Sequence, residues 1–236
     1  MYQAVFQRYE LKYMLTKEQK ERILELLEPH MRLDSYGRTT IQNIYFDTED
    51  YRLIRRSIEK PVYKEKLRMR SYGEQTSDSK VFVELKKKYQ KVVYKRRLSM
   101  REEKAMQWLK RESACEMDSQ IAKEIDYFLE YYENLKPVLY LAYEREAYKC
   151  KEDNDFRVTF DENIICRQEE MRFEAKADGI PVLGEGKVLM EIKCSGGIPL
   201  WMTEILSKER IYKTSFSKYG TAYRKIIYPK WKGVQI

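Results

Sequence analysis

Charged and apolar residues alternate in segment after segment of this chain, and that alternation limits what it can fold into. The segments read Arg8-Tyr9-Glu10-Leu11-Lys12, Arg68-Met69-Arg70, Glu84-Leu85-Lys86, Tyr143-Glu144-Arg145, Arg157-Val158-Thr159-Phe160-Asp161 and Glu191-Ile192-Lys193. A β-strand sends residues i, i+2 and i+4 to one face. Each segment therefore has one apolar face and one face of fixed charges. One such strand is an ordinary solvated surface. Six of them predict a sheet curled so that the charged faces share one interior. An interior lined mostly by Lys and Arg needs an anionic ligand to offset self-repulsion and desolvation.

The bulk composition fits that picture. The 236 residues suit a single domain spanning 1–236, because no glycine-, proline- or serine-rich stretch marks a linker. An apolar share of 43% can supply a core, and 46 basic against 38 acidic residues leave a net charge of +8. That surplus favours acidic partners without choosing among nucleic acid, anionic lipid and phosphate compounds. The four cysteines are scattered, with no CxxC pair, and predict reduced thiols in a cytoplasmic protein. No apolar leader and no membrane-length apolar window is present. His30, the single histidine, leaves no room for a histidine triad or a multi-histidine metal site, and is expected to be an exposed loop residue after Pro29.

The local signals place the elements. A first strand is expected over 3–13; Thr16 and Gln19 then form a capping box for a helix that Pro29 stops. Strands are expected at 39–47, 62–72, 80–87, 91–100, 138–149, 156–165 and 187–194. Thr48 caps a short helix through Ile58, and helices are expected from Arg101 to Cys115 and after Asp118 or Ser119. Helical segments around 200–208 and 217–227 close the chain.

Strand parity then gathers the candidate site. Glu10 and Lys12 share a face, as do Lys64, Lys66, Arg68 and Arg70; Glu84 and Lys86; Lys95, Arg97 and Ser99; Tyr143 and Arg145; Arg157, Thr159 and Asp161; and Glu191 and Lys193. Arg96 breaks the pattern on its strand. Convergence would put about nine cations and about four carboxylates in one cavity. Arginine grips phosphate oxygens bidentately and lysine acts as a point charge, while carboxylates suit magnesium or manganese. Together these are the parts of phosphoryl transfer. Nucleic-acid binding fits less well, because the aromatics lie mostly on the apolar faces and no helix-turn-helix, zinc-finger or RNP signature occurs. There is no P-loop either. A duplex would be too wide for a small closed barrel.

The chain resembles the VTC domain, the polyphosphate polymerase domain of the vacuolar transporter chaperone complex, within the CYTH or triphosphate tunnel metalloenzyme superfamily. RYELKY (8–13), IYFDT (44–48), LRMRSYG (67–73), VFVELKKK (81–88), YEREAY (143–148), FRVTFDENI (156–164), LMEIKC (189–194) and FSKYG (216–220) carry the resemblance, in order, over nearly the whole chain. It implies an α+β fold, an eight-stranded antiparallel tunnel β-barrel with a charged interior and flanking helices. It also implies metal-dependent transfer of a phosphoryl group from ATP to inorganic polyphosphate. By position, Lys12, Arg68, Arg70, Lys86, Arg145 and Arg157 would bind phosphates, with Tyr143 and Lys193 on the same wall. Glu191 would hold Mn or Mg, and Lys218, with Ser217 beside it, would meet substrate near the tunnel mouth. The superfamily's first strand carries ExExK, whereas this chain has RxExK at Arg8, which favours a polymerase over a tripolyphosphate or nucleoside-triphosphate hydrolase. A non-catalytic polyphosphate-binding module is the remaining alternative. Sensing and membrane domains of eukaryotic versions are not expected here, so a membrane partner acting in trans stays open.

Overall fold

The computed structural model describes residues 9–73, 79–90, 92–173 and 177–234. The predicted strand start at 3–8, including Arg8, and loop residues 74–78 lie outside the described residues. The strands are β1 (Tyr9–Thr16), β2 (Met31–Asp47), β3 (Tyr63–Tyr72), β4 (Lys80–Tyr89), β5 (Val92–Arg101), β6 (Lys136–Cys150), β7 (Arg157–Arg167), β8 (Ile180–Pro181) and β9 (Lys187–Cys194). They pair antiparallel in the order β1-β9-β7-β6-β2-β3-β4-β5, with the two-residue β8 beside β7. The barrel expectation holds in a looser form. Among the described residues no backbone ladder joins the outer strands β1 and β5. Side chains span the gap, with Lys86 Nζ 3.5 Å from Glu10 Oε2.

Helices cover the outside of the sheet. The capping box at Thr16 starts α1 (Lys17–Leu27), with Gln19 N donating to Thr16 Oγ1 and Thr16 N donating to Gln19 Oε1. Together with α5 (Leu200–Lys208), α1 buries Tyr13, Leu15, Val158, Phe160, Met190 and Ile192, the faces that parity marked apolar. On the other flank α3 (Glu102–Leu109) and α4 (Gln120–Tyr132) bury Leu67, Met69, Val81, Val83, Leu85 and Leu98. Arg96 breaks the strand pattern because it turns to this helical side, where its Nε donates to Glu124 Oε2 at 2.8 Å.

Three local expectations are corrected. The second strand, β2, begins at Met31, not Thr39, because its exposed polar first half pairs with the long β6 across a register break beside Gly37, at φ +56°. Helix α3 stops at Leu109, not Cys115, since Arg111 adopts φ +61°. His30 is half-buried and stacks on Trp201 at 4.3 Å between ring centroids, so the two rings shield each other.

The interior is charged over only part of its length. A one-residue bulge in β7, with Asn163 at φ +49°, shifts the β6–β7 register and reverses parity beyond it. Asp161 therefore faces the cavity, while Ile164 and Cys166 join an apolar floor with Tyr45, Leu139, Leu141 and Leu189. Helix α2 (Arg52–Ile58), α6 (Lys218–Ala222) and the π-helical turn Tyr223–Ile227 fill that end through Ile54, Tyr219, Tyr223 and Ile227; α7 (Tyr228–Val234) follows.

Asp47 ties this floor together. Its fully buried carboxylate accepts from the backbone N–H groups of Thr48, Leu53 and Ile54 and from the Tyr219 hydroxyl at 2.8 Å. Burial pushes its pKa up, against those donors. Asp47→Ala strands several donors at once and is expected to lower stability by about 2–4 kcal/mol. Tyr219→Phe should cost about 1 kcal/mol. Urea unfolding checks both, and equal effects would place the anchor elsewhere.

Candidate polyanion-binding site

Two walls of the curled sheet each gather cations around a buried carboxylate. On the first, Glu84 of β4 sits between Arg68 of β3 and Arg97 of β5, its direct cross-strand partners. Arg68 donates to Glu84 Oε2 from Nε at 2.9 Å and from Nη2 at 2.7 Å. Arg97 Nε donates to Oε1 at 2.7 Å, Lys95 Nζ lies 2.6 Å from the same oxygen, and Arg70 Nε is 3.8 Å from Oε2. Burial alone would raise the Glu84 pKa, but these four cations hold it well below the usual carboxylate range.

The second wall centres on Glu191 of β9. Its oxygens lie 3.3 Å from Lys12 Nζ, 3.5 Å from Lys193 Nζ, 3.1 Å from Lys218 Nζ and 3.2 Å from Arg145 Nη2. Asp161 shares the load, accepting from Arg145 Nε at 2.5 Å and Nη2 at 2.6 Å, with Lys218 Nζ at 2.5 Å. Burial opposes ionisation of Glu191 too, and the same four cations overcome it. Glu10 completes the wall, 3.3 Å from Lys12 Nζ, and Lys86 above all holds its pKa low.

Tyr143 connects the walls. Arg70 Nη2 donates to its hydroxyl at 3.4 Å, and Arg145 and Lys218 lie over its ring at 5.2 and 4.6 Å. The structure thus brings together Glu10, Lys12, Arg68, Arg70, Glu84, Lys86, Lys95, Arg97, Tyr143, Arg145, Asp161, Glu191, Lys193 and Lys218. Arg157 faces the same way at the end of β7, directly opposite Lys193. Lys218 and Ser217 lie beside this second wall. Lys218 is buried against Asp161 and Glu191 at the start of α6, which Ser217 caps, with Gly220 N donating to its Oγ at 3.1 Å.

Parity also left out several partners. Asn43 Oδ1 accepts from Arg70 Nε at 3.0 Å, and the Tyr45 hydroxyl accepts from Arg68 Nη1 at 3.2 Å. Both lie on β2, whose interior face carries no alternating charge to reveal it. Lys66 shares the Arg68 face, and among its described contacts its ammonium donates to Ser217 Oγ at 3.3 Å. Burial, then Lys86, Lys12, Lys64 and Arg68, lower its pKa to about 7. Lys95 also falls to about 7, through burial that Glu84 only partly offsets.

A divalent cation can be tested against these donors. Among the described residues no group of three or more His, Cys, Asp or Glu side chains is close enough to cage a metal. Glu191, with Glu10 across the Lys12 ammonium, can offer one or two carboxylates, and magnesium and manganese commonly take that number and complete their shells with water and phosphate oxygens. The donor set suits a metal that arrives with phosphate and does not suit one held by protein alone.

The fold is shared with solved structures. A candidate adenylate cyclase from Bacillus halodurans matches with a TM-score of 0.57 and 16% identity, over 91% of this chain and 96% of that one. A candidate adenylyl cyclase from Hippeastrum, described as revealing a dominant triphosphatase activity, matches with a TM-score of 0.53 and 16% identity, over 89% and 92%. A candidate adenylate cyclase from Vibrio parahaemolyticus follows at 0.50 and 10%, over 93% and 99%. No curated protein matched. The VTC domain matches residues 7–227, from the first charged strand to the helical floor, and the chain belongs to the VTC domain family.

Proposed function

We propose that this protein transfers the terminal phosphoryl group of ATP to a growing inorganic polyphosphate chain, with a divalent metal, inside the basic cavity. The observation that carries this reading is the excess of inward-facing cations over Glu10, Glu84, Asp161 and Glu191, with Lys66 showing no carboxylate partner among the described residues. Triphosphate-directed phosphoryl chemistry agrees with the family and the shared fold. In the transfer, a terminal oxygen of the acceptor forms the new P–O bond as the bond from the γ-phosphorus to the bridging oxygen breaks, and ADP leaves. Arg68, Arg70, Arg145, Lys12, Lys66, Lys86, Lys193 and Arg157 would hold the phosphates and stabilise charge spread over the equatorial oxygens. Glu191, with Glu10, would hold the metal, which neutralises charge on the transferring phosphate.

Triphosphate hydrolysis is the second reading, favoured by the description of the Hippeastrum structure. Among the described residues no helix is long and apolar enough to cross a membrane. The four cysteines are free thiols, which agrees with the cytoplasmic location we propose.

Incubation with ATP and manganese or magnesium decides between the readings. Long-chain polyphosphate supports the polymerase, free phosphate alone the hydrolase, and binding without turnover a non-catalytic module. Arg68→Ala and Arg70→Ala are each expected to keep the fold and lower turnover at least ~100-fold, since each removes a guanidinium from the transferring phosphate. Near-normal rates in both would remove the cavity from the reaction.

Glu191→Gln separates a metal ligand from a mere counter-ion. Loss of the carboxylate leaves four cations less compensated, so stability should fall by about 3 kcal/mol in thermal or urea unfolding. Polyphosphate binding should persist, while metal-stimulated turnover disappears. Retained metal stimulation would shift the metal to Glu10 or Glu84.

Anion binding should also take up protons. Lys66 has a folded pKa of about 7, below the usual lysine value, so it is largely neutral at pH 8 in the free protein. A bound polyanion raises that value, so a proton enters on binding and affinity falls as pH rises above 7. Calorimetry of tripolyphosphate binding at pH 8, in buffers of different ionisation enthalpy, should show net uptake that shrinks in Lys66→Met. Unchanged uptake in that variant would assign the proton elsewhere.

A further inference from the structure

The face that carries Arg68 and Glu84 changes character two residues along. Arg68, Glu84 and Arg97 form one cross-strand row, with a carboxylate between two guanidiniums. The next row is Lys66, Lys86 and Lys95, three lysines on adjacent strands, and the row beyond pairs Lys64 with Lys88. Like charges directly opposite each other destabilise an antiparallel pair, and here two such pairs follow in succession between β3 and β4. In the outer row the acidic neighbour Glu65 does not help. It lies on the opposite face, accepting from Tyr132 and 3.7 Å from Lys87 Nζ. Lys64 Nζ instead donates to the Ser57 carbonyl at 3.2 Å. Both Lys64 and Lys88 are half-buried, so water screens them only in part. Burial, followed by Lys88, Lys86, Lys60 and Lys12, lowers the Lys64 pKa.

We infer that Lys64 and Lys88 form a track for the polyphosphate chain beyond the reacting triphosphate, continuing the Lys66–Lys86 row toward the strand ends, where Tyr63 and Tyr89 are exposed. The chemistry selects a flexible, repeating anion. Adjacent strands are about 4.8 Å apart and same-face residues along a strand about 6.8 Å apart, so the block offers ammonium groups at intervals that successive phosphates of a bent chain can meet. Lysine suits this task, because a point charge lets a chain slide where a bidentate guanidinium would fix one register. The three-residue row with Glu84 would grip the reacting phosphates, and the Lys64–Lys88 row, which contains no carboxylate, would hold the chain without positioning it. This inference rests on the polyphosphate reading above and adds where the chain runs.

The test compares two ligands on one variant. Lys64→Gln/Lys88→Gln should bind tripolyphosphate within about twofold of the unaltered protein and long-chain polyphosphate about tenfold more weakly, with a shallower salt dependence for the long chain because fewer counterions are exchanged. Its melting temperature should stay level or rise, since like-charge repulsion is relieved. Equal losses for both ligands would overturn the track, and so would unchanged long-chain affinity. A poly-glutamate peptide of matched charge that shows the same lysine-dependent loss would overturn it in favour of an acidic protein segment. If the unaltered protein fails to bind tripolyphosphate at all, the polyphosphate reading falls and the track with it. That outcome is separate from the case in which only the lysine substitutions are silent.

Discussion

Repulsion among inward-facing cations is the constraint on which the rest of this structure depends. A two-faced sheet normally buries its apolar side in a core and leaves its charged side in water. Here the sheet curls around the charged side. The apolar side must then be covered from outside, which is why α1 and α5 close one flank and α3 and α4 the other. The curl brings arginines and lysines from facing strands within reach of one another, so the ligand-free protein needs its own anions. Glu84 and Glu191 supply them at the centre of each wall, nearly inaccessible to water.

Those carboxylates have two consequences that pull in opposite directions. They orient the guanidiniums of Arg68, Arg97 and Arg145, so a phosphate would meet donors that are already ordered. They would also compete with that phosphate for the same N–H groups. The balance differs along the cavity. Arg145 gives two hydrogen bonds to Asp161 and one to Glu191, whereas Lys66 meets the Ser217 hydroxyl and the Tyr219 ring and no carboxylate among its described contacts. Phosphate affinity should therefore concentrate where carboxylates are absent, and geometric precision where they are present.

Much of this was readable in the chain because period two is a strong signal when charge carries it. The inward sets on β1, β3, β4, β5 and β9 follow from parity alone, and so does the capping box at Thr16. Asn43 and Tyr45 escaped because β2 alternates neutral residues, and an amide or a phenol facing a cavity looks the same in sequence as one facing a core. The bulge at Asn163 escaped for a different reason: one inserted residue reverses every later side chain, and only the pairing with β6 shows it. Lys218 entered through the family resemblance alone, since it lies on a helix and no strand parity gathers it, and its contacts with Asp161 and Glu191 span distant parts of the chain. The apolar floor under Tyr219 depends on contacts between residues far apart in sequence, which no local pattern records.

The charge balance also bears on how a metal would take part in the proposed reaction. Glu191 is already surrounded by Lys12, Lys193, Lys218 and Arg145, so a free divalent cation would enter a field of its own sign. A metal bound to a triphosphate is different, because the complex as a whole is still an anion and the same field attracts it. If the phosphates engage the lysines and arginines, those cations would turn partly away from Glu191, and its carboxylate would gain room for the metal. Metal and phosphate binding would then strengthen each other through one carboxylate. That coupling would give Glu191 a reason to lie amid cations, which it holds in place through Lys12, Lys193, Lys218 and Arg145.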